Sequence, residues 1–156
     1  VTPTLVQLVW IYYALPILTG VQLSSFTAVL LALGLHEGAY IGEIFRAGVR
    51  SVAKGQFLAG QAIGMTYMQT MWHIILPQAL KRMIPPLVNE FAALMKLTSL
   101  ASVLAVPELL HAAYDIIATT FRPLEMYTVA AAVYAMVVAP FIILAHYLEH
   151  AWKERD

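Results

Sequence analysis

Ionisable and hydroxyl-bearing side chains are scarce in this chain, so their positions carry weight. Asn89, Glu90, Lys96, Thr98, Ser99 and Ser102 interrupt one otherwise apolar stretch, residues 86–106. On a helical wheel Asn89 and Lys96 fall about 20° apart, and Ser99 lies a turn above Lys96. A zwitterion needs a donor for its carboxylate and an acceptor for its ammonium. Lys96, Thr98 and Ser99 are the donors on offer, and Glu90 and Glu37 are the acidic partners. If the stretch crosses a membrane, its charges are costly and are candidates for a pathway by that fact alone. The competing reading pairs Lys96 with a carboxylate across a helical bundle, for structure or gating.

Other constellations invite other chemistry. His36 and Glu37 are adjacent and either line a pathway or form a buried hydrogen bond. With Lys96 they would also serve a passive channel or an ion-coupled carrier. Glu43 and Arg46 are spaced as a helix-end ion pair. His146, Glu149 and His150 match the H-x-x-E-H pattern of a zinc protease, with Glu149 as base and a third ligand from elsewhere. A motif without its structural context is equally a chance match. No phosphate-cradling P-loop occurs, so ATP has no such site in this sequence. The absence of cysteine removes thiol chemistry, disulfides and thiolate metal sites. No cofactor, metal site or catalytic residue is expected.

The elements that must hold these residues are membrane helices. Of 156 residues, 61% are hydrophobic and 12% charged. Soluble domains average about 45–50% and 25%. The mean hydropathy is +0.75. Zero net charge offers nothing to nucleic acid. We expect an all-α bundle in a single domain, 1–156, with spans at about 4–23, 26–45, 86–106 and 124–148. Pro16 should kink or end the first, and Ser24 or Ser25 should cap the second. Gly34, Gly38 and Gly42 put a small-residue face on that second helix, suited to close packing. Pro85 or Pro86 should open the third, and its polar stripe should face the bundle interior. Residues 107–123 read as a short outer-face helix plus a turn, ending at Pro123. Pro140 should kink the last span, with Trp152 at the interface.

Between the second and third spans lies a more polar connection. Gln56–Ile63 suits about two helical turns, Gly64 suits a left-handed C′ position, and Thr66 with Gln69 forms a capping box. Pro77 should end that second helix or turn it sharply. Arg46, Arg50, Lys54, Lys81 and Arg82 appear in 46–82 without any acidic residue. The positive-inside rule therefore places this loop in the cytoplasm. A helix–glycine–helix knob suits docking better than catalysis.

That knob carries a family resemblance. Gly64, Ile74, Leu76 and Pro77 match the glycine-to-Ile-x-Leu-Pro half of the "EAA" loop found in permease subunits of bacterial ABC importers. GAYIGEIFRAGVRSVAKGQ, PQALKRMIPPLVNE, KLTSLASVLAVPELLHAA and FRPLEMY extend the match over nearly the whole chain. The set resembles the polar-amino-acid branch, the histidine, glutamine and arginine permeases. The resemblance implies the type I ABC importer permease (MetI-like) fold, a multi-pass subunit of the bacterial inner membrane. Family members carry one more span at the N-terminus, so four of about five are expected here. It also implies partners: an ABC ATPase subunit, a second permease subunit, an extracytoplasmic amino-acid-binding protein near 107–123, and membrane lipid. ATPase docking would fall to Phe57, Leu58, Ala59, Gly60, Ile63, Gly64 and Met65. The substrate pathway would fall to Glu37, Asn89, Glu90, Lys96, Thr98 and Ser99. Two positions depart from the family pattern. Leu58 stands where the loop's glutamate is usual, so docking should lean on shape and apolar contact. Leu97 stands where Lys-Asp-Thr-Ser has its aspartate, which weakens the case for a cationic substrate.

Overall fold

A computed structural model describes residues 2–153, and side chains for residues 2–150. The expected interfacial place of Trp152 lies outside those side chains. The described residues are helical, with no strand among them. We name the helices α1 (Thr4–Thr19), α2 (Ser25–Ser51), α3 (Lys54–Ala62), α4 (Tyr67–Leu104), α5 (Leu109–Thr120) and α6 (Pro123–Lys153).

Leu-Pro pairs shape two of them. In α1 the helix widens to a π-turn over Trp10–Ala14, just before Leu15 and Pro16. In α4 the same widening spans Met71–Ile75, just before Leu76 and Pro77. A proline donates no N–H, and its ring presses on the carbonyl four residues back. A wider turn moves that carbonyl aside, so the helix passes through. Neither proline ends its helix, contrary to the reading of Pro77 as a stop. Helix α1 closes instead at Gly20, whose φ of 72° is left-handed and whose N–H reaches Pro16 O at 2.8 Å.

Two compact units share the chain. The first comprises residues 1–38 and 92–140. Its core joins Leu8 and Ile11 of α1, Ala28, Val29, Ala32 and Leu33 of α2, and Ala101 and Leu104 at the end of α4. Ala28 and Ala32 are fully buried, and their small side chains let helix backbones approach closely. Ser24 caps α2 by accepting from Thr27 N at 3.1 Å. The last turns of α4, Thr98–Leu104, tighten to a 3-10 helix and close on Ala105 at φ 54°. The short helix α5 ends at Thr120, a turn through Phe121 and Arg122 follows, and Pro123 opens α6, where its missing N–H costs little.

The second unit comprises residues 39–91 and 141–156. Val52, Ile75, Ala79 and Met83 form its core, flanked by Ile44, Val49, Phe57, Met71, Ile74 and Leu87. This packing corrects two expected boundaries. Helix α2 runs on past Phe45 to Ser51 because Gly48 lies against the buried Met83 side chain and Val49 and Val52 join the core. Helix α4 starts at Tyr67, so Pro85 and Pro86 lie in its interior rather than at its first turn. Interior proline costs about 3 kcal/mol. The repeat Ile75, Ala79, Met83 and Leu87 keeps one face of α4 packed across the break.

Helices α2, α4 and α6 are long and apolar enough to cross a membrane by length and composition, whereas α1 is a shorter apolar helix. Large apolar side chains stand outward on them, among them Leu35 at 68%, Met136 at 68% and Ile143 at 67% exposure. Water would penalise such surfaces and hydrocarbon does not. The glycine face of α2 is also outward. Among the described residues, nothing lies within 4 Å of a Cβ built on Gly34, Gly38 or Gly42. The expected close packing is therefore not made within this chain. Ala28, Val29, Ala32 and Leu33 hold the opposite side of the helix to the core.

Candidate functional site

The connection between α2 and α4 folds as a helical hairpin in the second unit. Helix α3 ends in a Schellman motif: Gly64 N–H donates to Gln61 O at 2.9 Å and Met65 N–H to Gly60 O at 3.0 Å. Gly64 has a φ of 82°, where glycine alone avoids a Cβ penalty. Thr66 then caps α4. Its hydroxyl accepts from Gln69 N, and the Gln69 side chain accepts from Thr66 N at 2.8 Å. The reversal is thus fixed by backbone and cap hydrogen bonds within a few residues.

The hairpin sorts the seven docking candidates by exposure. Leu58 and Ile63 are exposed at 62% and 76%, and Ala59 and Gly64 are also on the surface. Phe57 and Met65 are half-buried, with Phe57 edge-on to Tyr67 at 5.3 Å between ring centres. Gly60 is buried against the second arm. That second arm adds exposed apolar side chains, Tyr67, Met68 and Trp72. The expected docking set stopped at Met65 and did not include these three. At the base of the hairpin, Arg82 donates to the Ser51 carbonyl at 2.5 Å, tying α4 to the end of α2. The basic side chains Arg46, Arg50, Lys54, Lys81 and Arg82 are all exposed. Glu43 and Arg46 do pair, at 3.7 Å, but both are exposed and such a pair contributes little.

The pathway candidates divide between the units. Asn89, in the second unit, is exposed, and Glu90 there is half-buried. In the first unit Lys96 is exposed, Thr98 and Ser99 are half-buried, and Glu37 is buried at 6% exposure. The stripe was expected to face the interior, yet Asn89 and Lys96 lie on the surface of this chain. Thr98 and Ser99 turn their hydroxyls back onto Met95 O and Lys96 O, both at 2.7 Å. That bonding accompanies the change from α to 3-10 geometry at Thr98. His36 meets Thr4 Oγ1 at 3.2 Å, joining α2 to α1.

A polar cluster beside Thr98 escaped the sequence reading. Glu108 caps α5, its Oε2 accepting from Leu110 N at 2.8 Å and its Oε1 from His111 N at 2.6 Å. Tyr134 of α6 donates to the same Oε2 at 2.7 Å, and the Thr98 side chain also interacts with that phenol. The available signal was a phenol near the middle of an apolar span, Tyr134 lying between Tyr127 and Tyr147 towards its ends. The H-x-x-E-H run gathers no such partners: His146 bonds Ile142 O at 3.0 Å, and no trio of metal-ligating side chains exists among the described residues.

A fold of long apolar helices with a structured hairpin between two of them can be compared with known proteins. The family model for binding-protein-dependent transport system inner membrane components matches residues 1–154. The chain belongs to this family. It is 39% identical over 153 residues to the glutamine transport system permease protein GlnP of Escherichia coli K12, covering 97% of this chain and 70% of that protein. It is 35% identical over 155 residues to the arginine transport system permease protein ArtQ of Bacillus subtilis 168, covering 99% and 71%. With the L-cystine transport system permease protein TcyB of the same organism it shares 43% over 149 residues, covering 95% and 63%. A crystal structure of an amino acid ABC transporter with histidines superposes with a TM-score of 0.89 at 37% identity, over 96% of this chain and 70% of that one. The chain is a multi-pass membrane transport subunit, and the zinc-protease reading of its tail finds no support.

Proposed function

We propose that the chain is the membrane subunit of an ATP-driven importer of polar amino acids in the bacterial inner membrane. It forms part of the translocation pathway and couples to a separate ATPase through residues 56–77. The observation that carries the coupling role is the hairpin. A helix that ends on a left-handed glycine, followed at once by a capped helix, offers Leu58, Ile63, Tyr67 and Met68 to a partner. Exposed apolar groups on a rigid turn suit insertion into a cleft. With Leu58 in place of the family's glutamate, the contact at that position leans on shape and apolar burial, and its salt dependence is lower.

The surface position of Asn89 and Lys96 supports a pathway closed by a second permease subunit, identical or paired. Lys96, Thr98 and Ser99 would answer a substrate carboxylate, with Glu37 and Glu90 as the acidic counterparts. An extracytoplasmic amino-acid-binding protein would deliver substrate near α5. ATP-driven closure of two ATPases would draw the hairpins together and bias the bundle between inward and outward states, since only a contact that differs between states shifts their balance.

The test is co-purification and uptake. A tagged permease in mild detergent should bring down a P-loop ATPase, and vesicles should take up amino acid only with ATP. Gly64→Pro forces φ from 82° to about −65° and deletes the N–H that bonds Gln61 O. It should abolish ATP-driven uptake while leaving membrane insertion intact. Normal uptake in that variant would sink the assignment of this loop, and uptake without any ATPase would point to a carrier.

A further inference from the structure

Gly60 behaves unlike its neighbours on α3. Leu58 and Ala59 face outward, but Gly60 is buried. A Cβ placed on it would lie 2.7 Å from Thr70 Cγ2, 2.8 Å from Thr70 Oγ1 and 3.3 Å from Ile74 Cδ1. Two atoms below 3.0 Å belong to one β-branched side chain, so turning it about χ1 exchanges one obstacle for the other. Thr70 is also held: it is 0% exposed, and its hydroxyl donates to Thr66 O at 3.0 Å.

Gly48 gives the contrast. A Cβ there would collide with Met83, but the obstacle is a flexible side chain with several rotatable bonds. Met83 can give way where Thr70 cannot.

We propose that Gly60 is a positioning residue for coupling: it lets α3 lie flat on the Thr70–Ile74 face of α4, and that contact sets the angle at which the hairpin tip is presented. The proposal rests on the reading of 56–77 as the ATPase-docking element. Any side chain at 60 pries the arms apart and swings Leu58 and Ile63 away from their partner. Alanine raises helix propensity above glycine's, so a defect in Gly60→Ala cannot be traced to a melted α3. The contact also explains why a glycine stands in the middle of a helix of nine residues, where it otherwise weakens the helix.

The chain has no cysteine, so introduced thiols report on it cleanly. Gln61→Cys and His73→Cys, at exposed positions on the two arms outside the proposed contact, spin-labelled in the full-length permease, measure the separation of the two arms. The same backgrounds, reconstituted with the ATPase, give amino acid transported per ATP. Gly60→Ala should lengthen the label distance and lower transport per ATP roughly tenfold, within the range usual for coupling between sites. Adding Thr70→Ala removes both obstructing atoms and should return distance and coupling together. An unchanged distance in Gly60→Ala, or a double variant no better than the single one, overturns the proposal. A distance that moves and returns while transport per ATP stays constant overturns the docking assignment instead, and leaves the packing contact standing.

Discussion

Tyr134 gives its hydroxyl to a carboxylate that is already accepting two backbone N–H groups. Glu108 is therefore a hub: it starts α5, holds α6 and lies within one side chain of Thr98. Removing the phenol takes away one donor, whereas removing the carboxylate strands two N–H groups and the phenol together. We expect Tyr134→Phe to cost about 1 kcal/mol and Glu108→Ala about 2 kcal/mol, near the upper end for loss of a cap. Denaturant unfolding in detergent would measure both. Equal losses would mean that the link to α6, and not the cap, carries the stability. Glutamate is not among the favoured N-cap residues, which is why this hub was not read from the sequence while Thr66 and Gln69 were.

At the level of elements, packing outweighed local stop signals. Pro77, Pro85 and Pro86 each mark a helix end by their own chemistry, yet α4 runs from Tyr67 to Leu104. One face of it is fixed by Ile75, Ala79 and Met83 in a core shared with Val52. The Gly48–Met83 contact carries α2 into the same core. Met83→Ala should cost about 2–5 kcal/mol as a cavity. Gly48→Ala should cost about 1–3 kcal/mol by overpacking. Their combination should cost clearly less than the sum, because the new methyl occupies space that Met83 vacates. A double-mutant cycle on unfolding in detergent checks this. Strict additivity would show that the two side chains do not compete for one volume.

For the whole molecule, the distribution of charge decides orientation. By the positive-inside rule, five basic residues in 46–82 and none of opposite sign support the proposal that the hairpin faces the cytoplasm. Helix α5, separated from the hairpin by the single span α4, would then fall on the outer side. Single cysteines at Lys54 and Lys81 should react with a membrane-impermeant maleimide only in inside-out vesicles. One at Thr119, which is exposed on α5, should react only in right-side-out vesicles. The reverse pattern would invert every partner assignment, since an ATPase and an extracytoplasmic binding protein cannot exchange sides.

The sequence by itself determined the class and the hairpin reversal, and it carries the argument for the proposed sidedness. Composition, charge bias, a left-handed glycine and a capping box act through solvent or through neighbours within a few residues, so they are legible without a fold. The tertiary structure decided the rest. It buried Gly60 and left Ile63 exposed, though both were counted as docking residues. It extended α2 and α4 through expected ends, and it placed Asn89 and Lys96 on the outside of the chain. It also joined Glu108 to Tyr134 across 26 residues. Each of these depends on which side chains meet at a distance along the chain. A local pattern contains no information on such meetings until the helices have packed.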